Sequence, residues 1–185
     1  MIRLPTWLLL RLSNWAHFRV TAARDPDQVI GGRDNPYMKR WWVTPWRAYV
    51  AIPRAERTRW QKFVVALGLP NVYVHEFWRS DDDRALHDHP WANLSVLLEG
   101  EYTEHTIDAG GIHRRVIRKA GDLVMRCAAS AHRIELHDGM CWTLFVTGFK
   151  TRNWGFHCPE QGWIDWRRFT NAADGGETVG PGCDA

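Results

Sequence analysis

The sequence has no C-x-x-C pair and only four cysteines, Cys127, Cys141, Cys158 and Cys183, in 185 residues. That spacing offers neither a zinc ribbon nor a redox dithiol. Long apolar runs are missing too. The stretch "TWLLLRL" holds four consecutive apolar residues from Trp7 before Arg11 interrupts, far short of the roughly 20 that cross a bilayer. No secretory signal is visible. These absences predict a cytoplasmic protein with free thiols and no membrane association. There is no internal repeat. The segment 171–185, "NAADGGETVGPGCDA", has no base and no aromatic residue. It has four Gly, one Pro and three acids, and so little to bury that it is expected to be disordered.

What is present sets the frame. At 185 residues with 45% hydrophobic content, one domain with a real core is expected. Twelve Trp predict large, irregularly packed layers. The net charge of +3 becomes +6 once the acidic tail is set aside.

Residues 1–70 read as helices and loops packed on the outside of the domain. From Pro5 to Phe18, Leu8, Leu12 and Trp15 fall at i, i+4, i+7, the spacing of an amphipathic helix. Residues 24–46 are rich in turn formers and read as an ordered loop. A second helix is expected from Pro53, with Trp60, Phe63, Val64 and Leu67 on its packed face and Gly68 and Pro70 as its stop. Residues 33–62 carry eight Lys/Arg against two acids, interleaved with Trp. A solvated helix face with buried Trp accounts for this; a nucleic-acid footprint is the rival reading.

Residues 71–170 change character. Seven short strand patterns follow one another, with "DAGG" at 108–111 as a hairpin signal. With no helices between them, they imply an antiparallel sandwich or barrel. One strand pattern, "ALHDHPWANLSVLLEG", carries His87 and His89. If it runs unbroken, parity puts His87, His89, Trp91, Asn93 and Ser95 on one face and Ala92, Leu94, Val96 and Leu98 on the other. Imidazole, amide and hydroxyl groups on an inward face need partners or a ligand. His132 opens a later strand and supplies a third imidazole, enough for a facial site for a divalent transition metal. Asp81, Asp82 and Asp83, just before the pair, read as a solvated turn.

The intervals resemble the cupin superfamily. The first cupin motif, G-x5-H-x-H-x3–4-E-x6-G, corresponds to Asp81, His87, His89, Asn93 and Gly100. The second, G-x5-P-x-G-x2-H-x3-N, corresponds to Gly121, Cys127, Ala129, His132 and Leu136. The flanking "RSDDDRALHDHPW" and "TRNWGFHCPEQGWIDW" are similar to small bacterial and phage cupins. The resemblance implies an all-β cupin fold, a double-stranded β-helix or jelly-roll barrel with additional N-terminal helices. It implies metal binding by His87, His89 and His132, with Asn93 where the usual Glu ligand stands. Three-His sites without a carboxylate resemble those of the cysteine-dioxygenase-like cupins, which bind Fe(II). Such a site keeps a charge of +2 and favours an anionic ligand.

The expectation is therefore a metal-dependent oxidoreductase, an Fe(II) dioxygenase-like enzyme acting on a small anionic molecule. Asn93 and Arg84 are the candidate catalytic groups. Mn, Ni, Co and Zn also suit three imidazoles. Other readings stay open: a non-catalytic metal- or ligand-binding cupin, a metal-free isomerase or epimerase using Glu76, Glu99 or Glu104, a nucleic-acid-associated protein, and a homodimer.

Overall fold

The computed structural model describes residues 2–31, 34–81, 85–137, 139–171, 173 and 180–184. Two antiparallel sheets enclose the centre of the molecule. Numbered in chain order, the first runs β1 (Ile2–Arg3), β9 (Asp122–Arg126), β6 (Asn93–Glu99), β11 (Cys141–Thr147), β4 (Val72–Phe77), β3 (Met38–Trp42) and β2 (Gln28–Ile30). The second runs β13 (Gly162–Asp165), β12 (Gly155–Cys158), β5 (Leu86–His87), β10 (His132–Leu136), β7 (Glu101–Asp108) and β8 (Ile112–Lys119). From β4 to β12 the chain changes sheet at nearly every connection; β7 and β8 alone form a hairpin within one sheet. Most sheet neighbours within this stretch are therefore distant in sequence.

The first sheet is buried on both faces. Val74, Val96 and Leu98 pack outward with Trp41 against Ala16 and Val20. Those two belong to a helical segment made of α1 (Thr6–Trp15) and a π-helical continuation, Ala16–Thr21. Met38, Phe77, Leu97 and Cys141 turn inward onto Tyr102 and Ile134 of the second sheet. Strands covered on both sides read as near-continuous apolar runs, which is why β4 and β6 do.

Four expectations change. The segment before residue 71 is more than helices and loops: β1, β2 and β3 are members of the first sheet. The helix expected from Pro53 starts later, as α3 (Arg59–Leu67), and a separate short helix, α2 (Trp46–Ala51), precedes Pro53. Thr58 and Gln61 form a reciprocal capping box that sets the start of α3. Gly68 ends it in the left-handed conformation at φ 58°. Of its expected packed face only Val64 is buried; Trp60 and Phe63 are exposed.

The single strand read over residues 85–100 is broken. His87 ends β5 in one sheet and Asn93 begins β6 in the other. Pro90 lies in the crossing, where its missing N–H and fixed φ suit a bend. Parity nevertheless survives along β6, with Ser95 lining the interior and Val96 facing α1.

The disorder expected of 171–185 is not met at Gly180–Asp184, the rest of it lying largely outside the described residues, and not all thiols are free. Cys183 is disulfide-bonded to Cys158 of β12. A short turn at Gly182–Asp184 packs beside α4 (Trp166–Phe169). Gly180 lies so close to Thr170 that an added Cβ would fall 2.4 Å from its carbonyl carbon. Cys127 and Cys141 remain free, the first exposed and the second buried.

Candidate metal centre

His87 and His132 are register partners on adjacent strands, β5 and β10. His89 follows on the crossing segment, where its N–H donates to the carbonyl of Ala128 at 3.0 Å. That bond ties the first histidine motif to the turn preceding the second. The His89 ring stacks on Trp91, with centroids 5.2 Å apart. The result is one cluster in which a nitrogen from each of His87, His89 and His132 lies within 4.8 Å of the others. The Nε2 atoms of His89 and His132 are 3.0 Å apart. Metal–nitrogen bonds of about 2.1 Å meeting near a right angle place two donors about 3 Å apart, so this spacing fits a transition-metal ion.

The groups behind the imidazoles fit as well. With Nε2 of His132 turned into the cluster, its Nδ1 faces Oε1 of Glu104 at 3.3 Å. A carboxylate behind a ligating imidazole fixes its orientation and raises its basicity. Glu104 is 1% exposed. Its other contacts are an ion pair with Arg118 at 2.6 Å and a close ion pair with Arg126, a residue of the opposite sheet. Burial opposes its ionisation, but the nearby His132 and the charges of Arg126 and Arg118 outweigh it and hold the carboxyl well below the usual range. Behind His87, Oδ2 of Asp81 lies 3.7 Å from Nδ1 and accepts the Ile134 N–H at 2.7 Å. Asp81 is therefore a buried support, not part of a solvated turn. Asp82, Asp83 and Arg84 lie outside the described residues.

Burial and the Arg126 charge push the pKa of His132 down to about 4, against the pull of Glu104. Burial, His132, His87 and the nearby arginines push His89 well below its usual range. Both rings are thus neutral near pH 7, the form that binds a metal.

Asn93 stands one step back from the cluster. It is buried, and its Oδ1 accepts from Arg126 at 3.4 Å. Arg126, not Asn93, lines the cavity. Asp88, between the two first-motif histidines, faces away as strand parity predicts. Fully buried, it accepts from Gly155 N at 2.8 Å and Trp163 Nε1 at 3.0 Å, and it pairs with Arg152 and with His157. It fastens β12 and β13 to the barrel.

The histidines open onto a cavity of about 900 Å³ between the sheets. Its walls include Arg40, His75, Tyr102, Arg126, Thr143 and Phe145, with Gly180–Asp184 at one side. None of these was singled out in the sequence, because each is a single residue on a strand of ordinary pattern. Burial drives the Tyr102 phenol up to about 12, so it stays protonated.

No family model and no curated protein matches the chain. Several solved structures are similar to it. An oxalate decarboxylase of Bacillus subtilis, described for its Mn(II) centres, gives a TM-score of 0.46 at 13% identity over 73% of this chain and 30% of that one. A cupin superfamily protein of Desulfitobacterium hafniense gives 0.36 at 17% identity, over 44% of this chain and 69% of that one. An Fe(II)-bound HppE with an alternative substrate gives 0.43 at 17% identity, over 67% and 58%. At these identities the likeness concerns the course of the backbone. The chain spans 30% of the decarboxylase's length. The ligand cluster rests on geometry alone: three imidazoles from β5, the following bend and β10, meeting at the wall of one cavity.

Proposed function

We propose that this protein is a mononuclear metal-dependent enzyme. In this reading His87, His89 and His132 hold a divalent ion, and the cavity takes a small anionic molecule for Fe(II) dioxygenase-like oxidation. The observation that carries the proposal is the convergence of three imidazoles, two of them held neutral, on a cavity rather than on a closed shell of ligands. Structural metal sites are closed, whereas catalytic ones keep open positions. A divalent ion there would act as a Lewis acid and position bound ligands side by side.

The chain's own residues do the rest. Glu104 orients His132 from behind, and Asp81 stands behind His87. Neutral imidazoles leave the ion's charge undiminished, which favours an anion beside it. Arg126 adds a cation to the wall and is itself held by Glu104. Tyr102, kept protonated by burial, is a donor to bound oxygen atoms. Asn93 acts through Arg126, whose position it helps to set.

Metal analysis of protein purified without added metal, beside a His132→Ala variant, tests the reading. One equivalent of a divalent transition metal is expected in the wild type, or after anaerobic Fe(II) addition, and none in the variant. Wild type that neither holds nor takes up a stoichiometric ion would overturn it. Oxygen consumption with candidate carboxylates then separates an oxidising enzyme from a protein that only binds.

A further inference from the structure

The wall of the cavity on the first sheet carries a second set of polar groups. Gln28, Arg40, His75 and Thr143 are register partners across four adjacent strands, β2, β3, β4 and β11. Cross-strand partners point to the same face, and all four line the cavity. Nε of Arg40 donates to Nε2 of His75 at 2.9 Å, and Nη1 donates to Oε1 of Gln28 at 3.2 Å. The Tyr73 ring lies below the guanidinium at 5.1 Å. All of these neighbours are neutral. Among the described residues no carboxylate pairs with Arg40, whereas Arg126 on the same cavity pairs with Glu104. On the far side of His75 from this cation, Thr143 is 2% exposed and its hydroxyl has no hydrogen-bond partner among the described residues.

A cation inside a barrel without a counter-charge and a buried hydroxyl without a partner are both costly unless a ligand completes them. We propose that Gln28, Arg40, His75 and Thr143 form the recognition site for the carboxylate of a small organic acid, on the sheet opposite the histidine cluster. A carboxylate matches the site better than a phosphate. One planar guanidinium with neutral neighbours balances one negative charge, and its free edge suits a carboxylate fork. The flanking walls, Phe77, Trp91, Phe145 and Phe156, are apolar and aromatic, so they suit the body of such an acid. The site deepens the reading of the cavity as the place of a small anion and rests on it. It does not require the metal.

Benzoate is a suitable probe, with benzamide as its uncharged counterpart and inorganic phosphate as the rival anion. Calorimetric titration is done on chelator-treated protein and repeated on metal-loaded protein. Benzoate is expected to bind the wild type and benzamide to bind at least roughly tenfold more weakly. Arg40→Gln should lose roughly tenfold or more of the benzoate affinity and leave that for benzamide unchanged. Thr143→Val keeps the shape, so it should weaken benzoate severalfold with an unchanged unfolding temperature. This second variant keeps the test sound if Arg40→Gln fails to fold. The inference is overturned if the wild type does not bind benzoate, if phosphate binds in its place, or if Arg40→Gln and Thr143→Val bind benzoate as the wild type does. Benzoate binding through Arg40 in a protein that takes up no metal would sink the metal centre and leave this site standing; the converse result would do the opposite.

Discussion

Glu104 occupies the position that decides how the histidine cluster behaves. Where the cupin pattern has a carboxylate ligand, this chain has Asn93, and the nearest buried carboxylate sits behind His132 instead. Glu104 is also, among the described residues, the single anion paired with Arg118 and Arg126. Glu104→Gln keeps the shape and removes the charge. It should weaken metal binding by roughly 10–100-fold, read by competition with a chelator. It should also cost about 3–5 kcal/mol of stability in urea unfolding, since buried Arg126 and half-buried Arg118 lose their charged partner. A variant with unchanged metal affinity would show that the carboxylate has no part in orienting His132. At this scale the sequence was partly legible. His87, His89 and His132 follow a spacing pattern, and spacing survives folding. Arg40, Arg126, Thr143 and Tyr102 belong to no local pattern; only the strand register brings them to one wall.

Elements show the same division. The apolar runs of β4 and β6 and the hairpin of β7 and β8 are local signals, and they are strands where expected. Pairing order is not local. Nothing in the run 85–100 says that its two halves join different sheets, and short β2 and β3 lie among turn-forming residues that hide them. The clasp made by β12 and β13 is likewise a tertiary product, fastened by Asp88. Gly155 is its tightest point: a Cβ there would meet the Ile164 carbonyl oxygen at 2.1 Å. Gly155→Ala should therefore cost about 1–3 kcal/mol through overpacking. Amide hydrogen exchange should quicken in β12 and β13 while β6 and β11 stay protected. Uniform quickening across both sheets would mean that the clasp is not a separate unit.

For the molecule as a whole, buried histidines make stability depend on pH. His75 is pushed well below its usual range by burial and by Arg40, as is His89 by burial and its charged neighbours, and His132 falls to about 4. In the unfolded chain these rings titrate near about 6.5. Below that pH the unfolded state takes up protons that the fold refuses, so their contribution is complete above about 6.5 and is lost as pH falls toward about 4. Each such ring costs up to about 1.4 kcal/mol per pH unit in this window. Urea midpoints of metal-free protein at about pH 7.5 and about pH 5.5 measure the loss. His75→Gln, which leaves the cluster intact, should shrink the difference; an equal difference in the variant would assign it elsewhere.

The two sheets divide labour in a way that bears on how such a protein changes over time. His87 and His132 belong to the second sheet, whereas Gln28, Arg40, His75 and Thr143 come one apiece from four strands of the first. A single substitution on β3 can therefore change the proposed acid site without touching His87, His89 or His132. Substitutions can accumulate residue by residue across one wall while the histidine cluster opposite stays the same. The barrel is, in effect, a fixed tool facing an exchangeable holder.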